Sequence, residues 1–282
     1  MIKLSAFADE AGNSLKEQIL ALKRNGISLL ELRSIDGKNV AEFTVEEAKG
    51  YKEELDKNGI QVWSIGSPIG KVDVNVDFSE YLQKVKHVCN LACIFNTDKI
   101  RMFSFFNSYS QPEKVFNYLS EMVKVASSYG VCLYHENEKE IYGDTKEHVL
   151  QIMNNVVGLK FIYDPANYLQ CGEKADETLK LFHNKTDYFH IKDVIFETDE
   201  LVPAGYGDGK IFELISKIDS DKVLTLEPHL AVFDAYKSID NTEMKHKFDF
   251  KNAGEAFDFA CVSLKNLLEK AGYKEIKGEF IK

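Results

Sequence analysis

Four short segments concentrate the residue types that hold metal ions and move protons. They are His135-Glu136-Asn137-Glu138, Asp164-Pro165-Ala166-Asn167, His190-Ile191-Lys192-Asp193 and Glu227-Pro228-His229-Leu230. Each follows or ends a short apolar run, and the four come in succession along the second half of the chain. Glu136, Asp164, His190 and Glu227 would together bring three carboxylates and one imidazole to one place. Such a group repels itself and loses hydration unless something positive lies at its centre. One divalent cation is the economical answer. An oxygen-rich set with one His and open positions suits Mn²⁺ first, with Mg²⁺, Co²⁺ or Zn²⁺ as alternatives, and is unlike a closed structural zinc site. Each residue alone has an ordinary explanation as a solvated strand end, a salt-bridge partner or a core histidine. The argument for a metal is the convergence of all four in strand order.

Convergence requires a scaffold, and the chain supplies one. Eight apolar runs, Ile2–Ala6, Ile27–Leu32, Ile60–Ile65, Lys99–Phe103, Val131–Tyr134, Leu159–Tyr163, Tyr188–Ile191 and Val223–Leu226, read as strands covered on both faces. Amphipathic segments alternate with them. Val115, Leu119, Met122 and Ala126 recur at helical spacing, as do Phe257, Cys261, Leu264 and Leu268. Ser14 with Glu17, and Ser110 with Glu113, match the reciprocal box that caps a helix start. Asn25-Gly26, Asn58-Gly59 and Tyr129-Gly130 each place Gly where a helix must turn into the next run. The expectation is a (β/α)8 TIM barrel filling residues 1–282 as a single domain, because such barrels take ~250 residues. An open doubly wound sheet is the competitor. It is disfavoured because Leu4-Ser5-Ala6-Phe7-Ala8-Asp9 lacks the glycine fingerprint that follows a first Rossmann strand.

Composition narrows the function classes. The net charge is −10 and no basic run occurs, so nucleic acid is not an expected partner. No run approaches the ~18 apolar residues of a membrane span, and the start lacks a secretory leader's layout. Five cysteines, Cys89, Cys93, Cys132, Cys171 and Cys261, read as reduced thiols in a cytoplasmic protein. Cys89 and Cys93 share a helix face, but no second pair completes a zinc site.

The sequence resembles the xylose isomerase-like TIM-barrel superfamily, in particular its sugar phosphate isomerase/epimerase branch. The resemblance covers nearly the whole chain. It rests on Leu133–Glu138, Phe161–Asn167, Phe189–Asp193 and Leu226–His229, four motifs in order at strand ends. It implies that Glu136, Asp164, His190 and Glu227 bind one divalent metal and that Glu136 and Glu227 are the catalytic acid/base pair. The chemistry follows from general grounds. Moving a carbonyl along a sugar, or inverting its neighbouring carbon, needs removal of a weakly acidic proton. A metal on the carbonyl and an adjacent hydroxyl stabilises the ene-diolate, while carboxylates take and return the proton. The chain departs from ketohexose 3-epimerases in two places. Asn167 stands where they carry a histidine, and no arginine follows His190 closely. A metal-dependent dehydratase of a keto-polyol, like inosose dehydratase, is therefore the alternative on the same scaffold.

Other residues carry weaker expectations. Asn167, Lys192 and His229 are candidate substrate contacts; Lys192 serves equally as a salt-bridge partner and His229 equally as a turn cap. Strand alternation should turn His135 and Asn137 away from Glu136. Arg101 and Glu31 lie in apolar strands and are expected to pair across the barrel. Ala204-Gly205-Tyr206-Gly207-Asp208-Gly209 offers amides for a phosphate, but reads better as a mobile loop with Asp208 capping the next helix. Trp63, Phe105 and Phe106 are candidates for an apolar wall against a sugar. A hydrolase like endonuclease IV, which needs several zinc ions, is disfavoured. The chain has seven His, and His87, His148, His183 and His246 fall in helices or late loops. A non-catalytic binding protein is disfavoured because all four ligand types are present. The expected partner is a small sugar or polyol, with a homo-oligomer formed through exposed helices.

Overall fold

The computed structural model describes residues 1–231 and 248–282; His246 lies outside them. Eight parallel strands close on themselves. They are β1 (Ile2–Ala6), β2 (Leu29–Leu32), β3 (Gln61–Gly66), β4 (Lys99–Met102), β5 (Cys132–Glu136), β6 (Lys160–Tyr163), β7 (Tyr188–Ile191) and β8 (Lys222–Leu226). Closure is made by β1 and β8, paired in parallel from Ile2 opposite Lys222 to Ala6 opposite Leu226. The molecule is a (β/α)8 TIM barrel, and the doubly wound alternative is excluded by that pairing.

The helices are α1 (Leu15–Arg24), α2 (Val45–Lys57), α3 (Phe78–Ile94), α4 (Pro112–Ser128), α5 (Lys146–Asn155), α6 (Pro165–Gln170), α7 (Ala175–Phe182), α8 (Ile211–Ser216) and α9 (Ala253–Lys270). The periodic residues of α4 and α9 are all buried against the barrel. Ser14 and Glu17 form the reciprocal cap of α1, and Thr44 with Glu47 does the same for α2. The Ser110–Glu113 box does not form. Pro112 occupies the first helical position, where its missing N–H costs nothing, so Gln111 becomes the cap residue and Ser110 falls one place early. Gly26, Gly59 and Gly130 have φ of 68°, 72° and 73°, the left-handed turn that ends α1, α2 and α4.

Inside the barrel, side chains repeat every second residue and so stack in layers. The lowest layer is apolar: Leu29, Tyr134, Ile162, Tyr188 and Val223, with Trp63 packed against it. Trp63 is thus part of the barrel's floor and not a substrate wall. Two residues along these strands come Glu31, Glu136, Asp164, His190 and Thr225, all buried. Another step brings Arg33, Lys192 and Glu227. The period therefore carries each strand from apolar floor to charged rim. Phe105 is also core, packed edge-on to Tyr81 and Tyr118. Phe106 instead ties rim loops together through bridges to Asp73 and Ile141. A C-terminal hairpin, Lys274–Ile276 with Glu279–Ile281, pairs antiparallel with the start of β1, far from the rim.

Candidate metal centre

Four strand ends deliver the ligand types. Glu136 is the last residue of β5 and His190 lies within β7. Asp164 follows β6 and caps α6, its Oδ1 accepting from the amides of Ala166 at 2.8 Å and Asn167 at 3.1 Å. That leaves Oδ2 to face inward. Glu227 follows β8, fixed by its amide donating to the Ile191 carbonyl at 3.2 Å. One ligand atom from each of Glu136, Asp164, His190 and Glu227 lies within 4.8 Å of all the others. Ligands on opposite sides of a divalent ion sit roughly 4–4.5 Å apart, so the set needs only slight contraction to close on one ion.

The electrostatics fit such an ion. Asp9, Glu10, Glu31, Glu136, Asp164 and Glu227 are buried here, against the permanent cations Arg33, Arg101 and Lys192 among the described residues. His190 carries part of the deficit. Its Nδ1 lies 2.7 Å from Glu136 Oε1 and 3.1 Å from Glu227 Oε2. Burial opposes its charge, but Glu136 and Glu31 outweigh it and hold its pKa well above the ordinary value. Burial, with Glu136 and Glu227 nearby, pushes Asp164 up to about 7 despite Lys192. Burial likewise drives Glu10 up to about 8 against the pull of Arg33. Burial acts on Glu227 in the same sense, yet Lys192 and His190 prevail and keep it well below the carboxylate range. Asp164 Oδ2 and Glu227 Oε2 are met by ion-pair contacts from Lys192 and His190, without well-aligned hydrogen bonds. Buried carboxylate oxygens in that condition are what a cation would satisfy.

Three cations frame the cluster. Lys192 Nζ stands 3.2 Å from Asp164 Oδ2. Arg101 donates from Nη1 to Glu136 Oε2 at 3.2 Å and from Nη2 to the Gly66 carbonyl at 3.1 Å. Arg33 donates to Glu227 Oε1 at 3.0 Å, and to Asp9 and Glu10. Both guanidinium groups lie over the Phe7 ring, 4.4 and 4.9 Å from its centre, and His190 meets it edge-on. The expected Arg101–Glu31 pair is not made. Arg101 reaches up to the rim, while Glu31 turns to His190, Tyr188 and Thr225.

The remaining candidates divide. His229 takes a left-handed conformation with φ of 47°, its amide donating to Glu10 at 2.7 Å. Its Nε2 stands 3.4 Å from Glu10 and 3.5 Å from Glu227, so it joins the cluster's edge, and burial lowers its pKa to about 4. Asn167 donates to the Asn137 carbonyl at 2.9 Å, and its buried Oδ1 accepts no hydrogen bond in the described structure. His135 turns away to Ser104, and Asn137 clasps the backbone of Asp164. The glycine loop holds no vacant anion site. The Asp193 carboxylate takes the amides of Val194, Gly205, Gly207 and Gly209 itself. Asp208 does not cap α8: Lys210 occupies that position, and Asp208 accepts from the Phe196 amide instead. Asp9, Glu10 and Arg33 were not legible as site residues from the motifs of β5 to β8. The same strand-end rule applied to β1 and β2 finds them.

A barrel whose rim gathers three carboxylates and an imidazole within reach of one ion belongs to a recognisable class. The xylose isomerase-like TIM barrel family model matches residues 19–243, and the chain belongs to that family. No curated protein sequence matches significantly. Among solved structures, the probable 3-DHS dehydratase AsbF from Bacillus anthracis superposes with a TM-score of 0.72 at 16% identity, covering 94% of this chain and 99% of that one. The IOLI protein with a bound zinc atom gives 0.72 at 18% identity, covering 95% and 98%. An L-ribulose 3-epimerase gives 0.73 at 15% identity, covering 96% and 97%. Among the described residues, no helix is long and apolar enough to cross a membrane.

Proposed function

We propose that the protein is a divalent-metal-dependent isomerase or epimerase of a small sugar, sugar phosphate or polyol. The observation that carries this reading is the buried Glu136–Asp164–His190–Glu227 cluster, whose ligand atoms all lie within 4.8 Å of one another. Glu136, Asp164, His190 and Glu227 would hold the ion, with Mn²⁺ the first choice. A bound divalent ion supplies Lewis acidity at a carbonyl and its neighbouring hydroxyl.

The chain's own groups do the rest. Glu136 and Glu227 come from β5 and β8, so they approach the cluster from different sides, one to take a proton from carbon and one to return it. Each accepts from an arginine, Glu136 from Arg101 and Glu227 from Arg33, which aims the carboxylate. Lys192 places a permanent cation beside Asp164, where negative charge developing on substrate oxygens would be stabilised. Asn167 Oδ1 and the His229 ring would take substrate hydroxyls. The similarity to both an epimerase and a dehydratase leaves the reaction to be read from product. Incubation of a ketose, ketose phosphate and keto-inositol panel with Mn²⁺ should give an isomer of unchanged mass. A product lighter by one water would replace isomerisation with dehydration.

A further inference from the structure

One buried carboxylate is unused by this chemistry. Glu31 lies in β2, two residues below Arg33 and fully enclosed. Its Oε1 accepts from the Tyr188 hydroxyl at 3.0 Å, and that hydroxyl also meets Ser64 Oγ at 3.3 Å. Its Oε2 accepts from Thr225 Oγ1 at 2.9 Å and lies 3.1 Å from His190 Nε2. A register shift against β3, between Leu30 and Glu31, sets Glu31 opposite Ser64. The irregularity places a polar partner, not Trp63, beside the carboxylate.

An ionised carboxylate can only accept. Both Glu31 oxygens accept from hydroxyls, Oε1 from Tyr188 and Oε2 from Thr225, the pattern of an ionised carboxylate. His190 Nε2 must then donate, and in the neutral ring the lone pair falls on Nδ1. Nδ1 is the atom that faces Glu136 and Glu227. A ring whose far nitrogen donates to a carboxylate is fixed in tautomer and orientation and is a stronger base at the near nitrogen.

We propose that Glu31 is a positioning residue of the metal centre, holding the proton on His190 Nε2 so that Nδ1 is presented to the ion. The inference rests on the metal reading above. Its test compares wild type, Glu31→Gln and Thr225→Val. Mn²⁺ affinity is measured by electron paramagnetic resonance, and the His190 tautomer by ¹⁵N NMR of the Zn²⁺-loaded protein. Thr225→Val removes a different donor from the same oxygen and controls for lost packing. Wild type should bind with Nε2 protonated, Glu31→Gln should bind about 10–100-fold more weakly, and Thr225→Val should stay within about threefold. Equal affinity in Glu31→Gln, or an equal loss in Thr225→Val, overturns the proposal. If Glu31→Gln fails to fold, the wild-type spectrum decides alone, since metal on Nε2 contradicts it. A wild type that takes up no divalent ion overturns the metal reading itself, and this inference with it.

Discussion

If Asp164 helps hold a divalent ion as proposed, Lys192 competes with that ion for Asp164 Oδ2, and Lys192→Met tests the competition. The ammonium lies 3.2 Å from Asp164 Oδ2, and both side chains are at most 5% exposed. Two unit charges at that separation attract by about 5 kcal/mol at an effective dielectric of ~20. Removing one partner of a buried pair costs about 3–5 kcal/mol in practice. Asp164 already sits at about 7 and can take up a proton when Lys192 is lost, so the lower end applies. The metal-free variant should therefore lose about 3 kcal/mol, a fall of roughly 6–12 °C in melting temperature. The same ammonium repels an incoming cation, so Lys192→Met should bind Mn²⁺ at least tenfold more tightly. Mn²⁺ stabilises both proteins, and at saturation a tenfold tighter variant gains about 1.4 kcal/mol more than the wild type, so the gap should narrow by roughly half. Differential scanning calorimetry with and without Mn²⁺, alongside isothermal titration, reads both effects. A deficit that Mn²⁺ leaves untouched, or weaker Mn²⁺ binding in the variant, would refute the competition. Turnover should nonetheless fall, by about 10²–10³ if Lys192 stabilises charge on substrate oxygens.

Arg33→Met leaves Asp9, Glu10 and Glu227 without their shared guanidinium; urea unfolding should show a loss of about 3–5 kcal/mol or failure to fold. Gly70 has φ of 90°, and a Cβ there would stand 2.1 Å from the Phe103 carbonyl oxygen, which cannot move without breaking the loop pairing after β3 and β4. Gly70→Ala should cost more than about 3 kcal/mol by the same assay. His135 is buried and neutral, its pKa pushed down to about 3. Being lowered on folding, it contributes stability that is complete above about 6.5 and lost as pH falls toward 3, at up to about 1.4 kcal/mol per pH unit. His135→Gln should flatten the stability profile in that window; an unchanged slope would show that other groups set it.

The barrel was legible because its strands are buried on both faces and read as apolar runs. The convergence of Glu136, Asp164, His190 and Glu227 was legible because β5 to β8 each end on a charged or polar motif. What escaped notice was governed by the interior period of two. Glu31 in β2 and Arg33 just beyond it look like isolated charges, yet that spacing puts one behind His190 and the other beside Glu227. Arg101 and Glu31 were expected to neutralise each other, but they sit at different heights and each has a stronger partner. The glycine loop offered amides in sequence, and only the fold shows that Asp193 occupies them. Ser110 failed as a cap because one proline fixed the helix start a residue later. Local chemistry was readable where it depended on neighbours in sequence; it was not where strand register chose the partner.

The proposed reaction is proton abstraction beside a carbonyl by carboxylates gathered on a divalent ion. Deuterium incorporation from D₂O, followed by NMR over a panel of ketoses, ketose phosphates and keto-inositols with Mn²⁺ added or removed, tests it most directly. Exchange is expected at a carbon next to the carbonyl, requiring the ion and abolished in Glu136→Gln and Glu227→Gln. Exchange that persists without any divalent ion, or survives loss of both carboxylates, would contradict it.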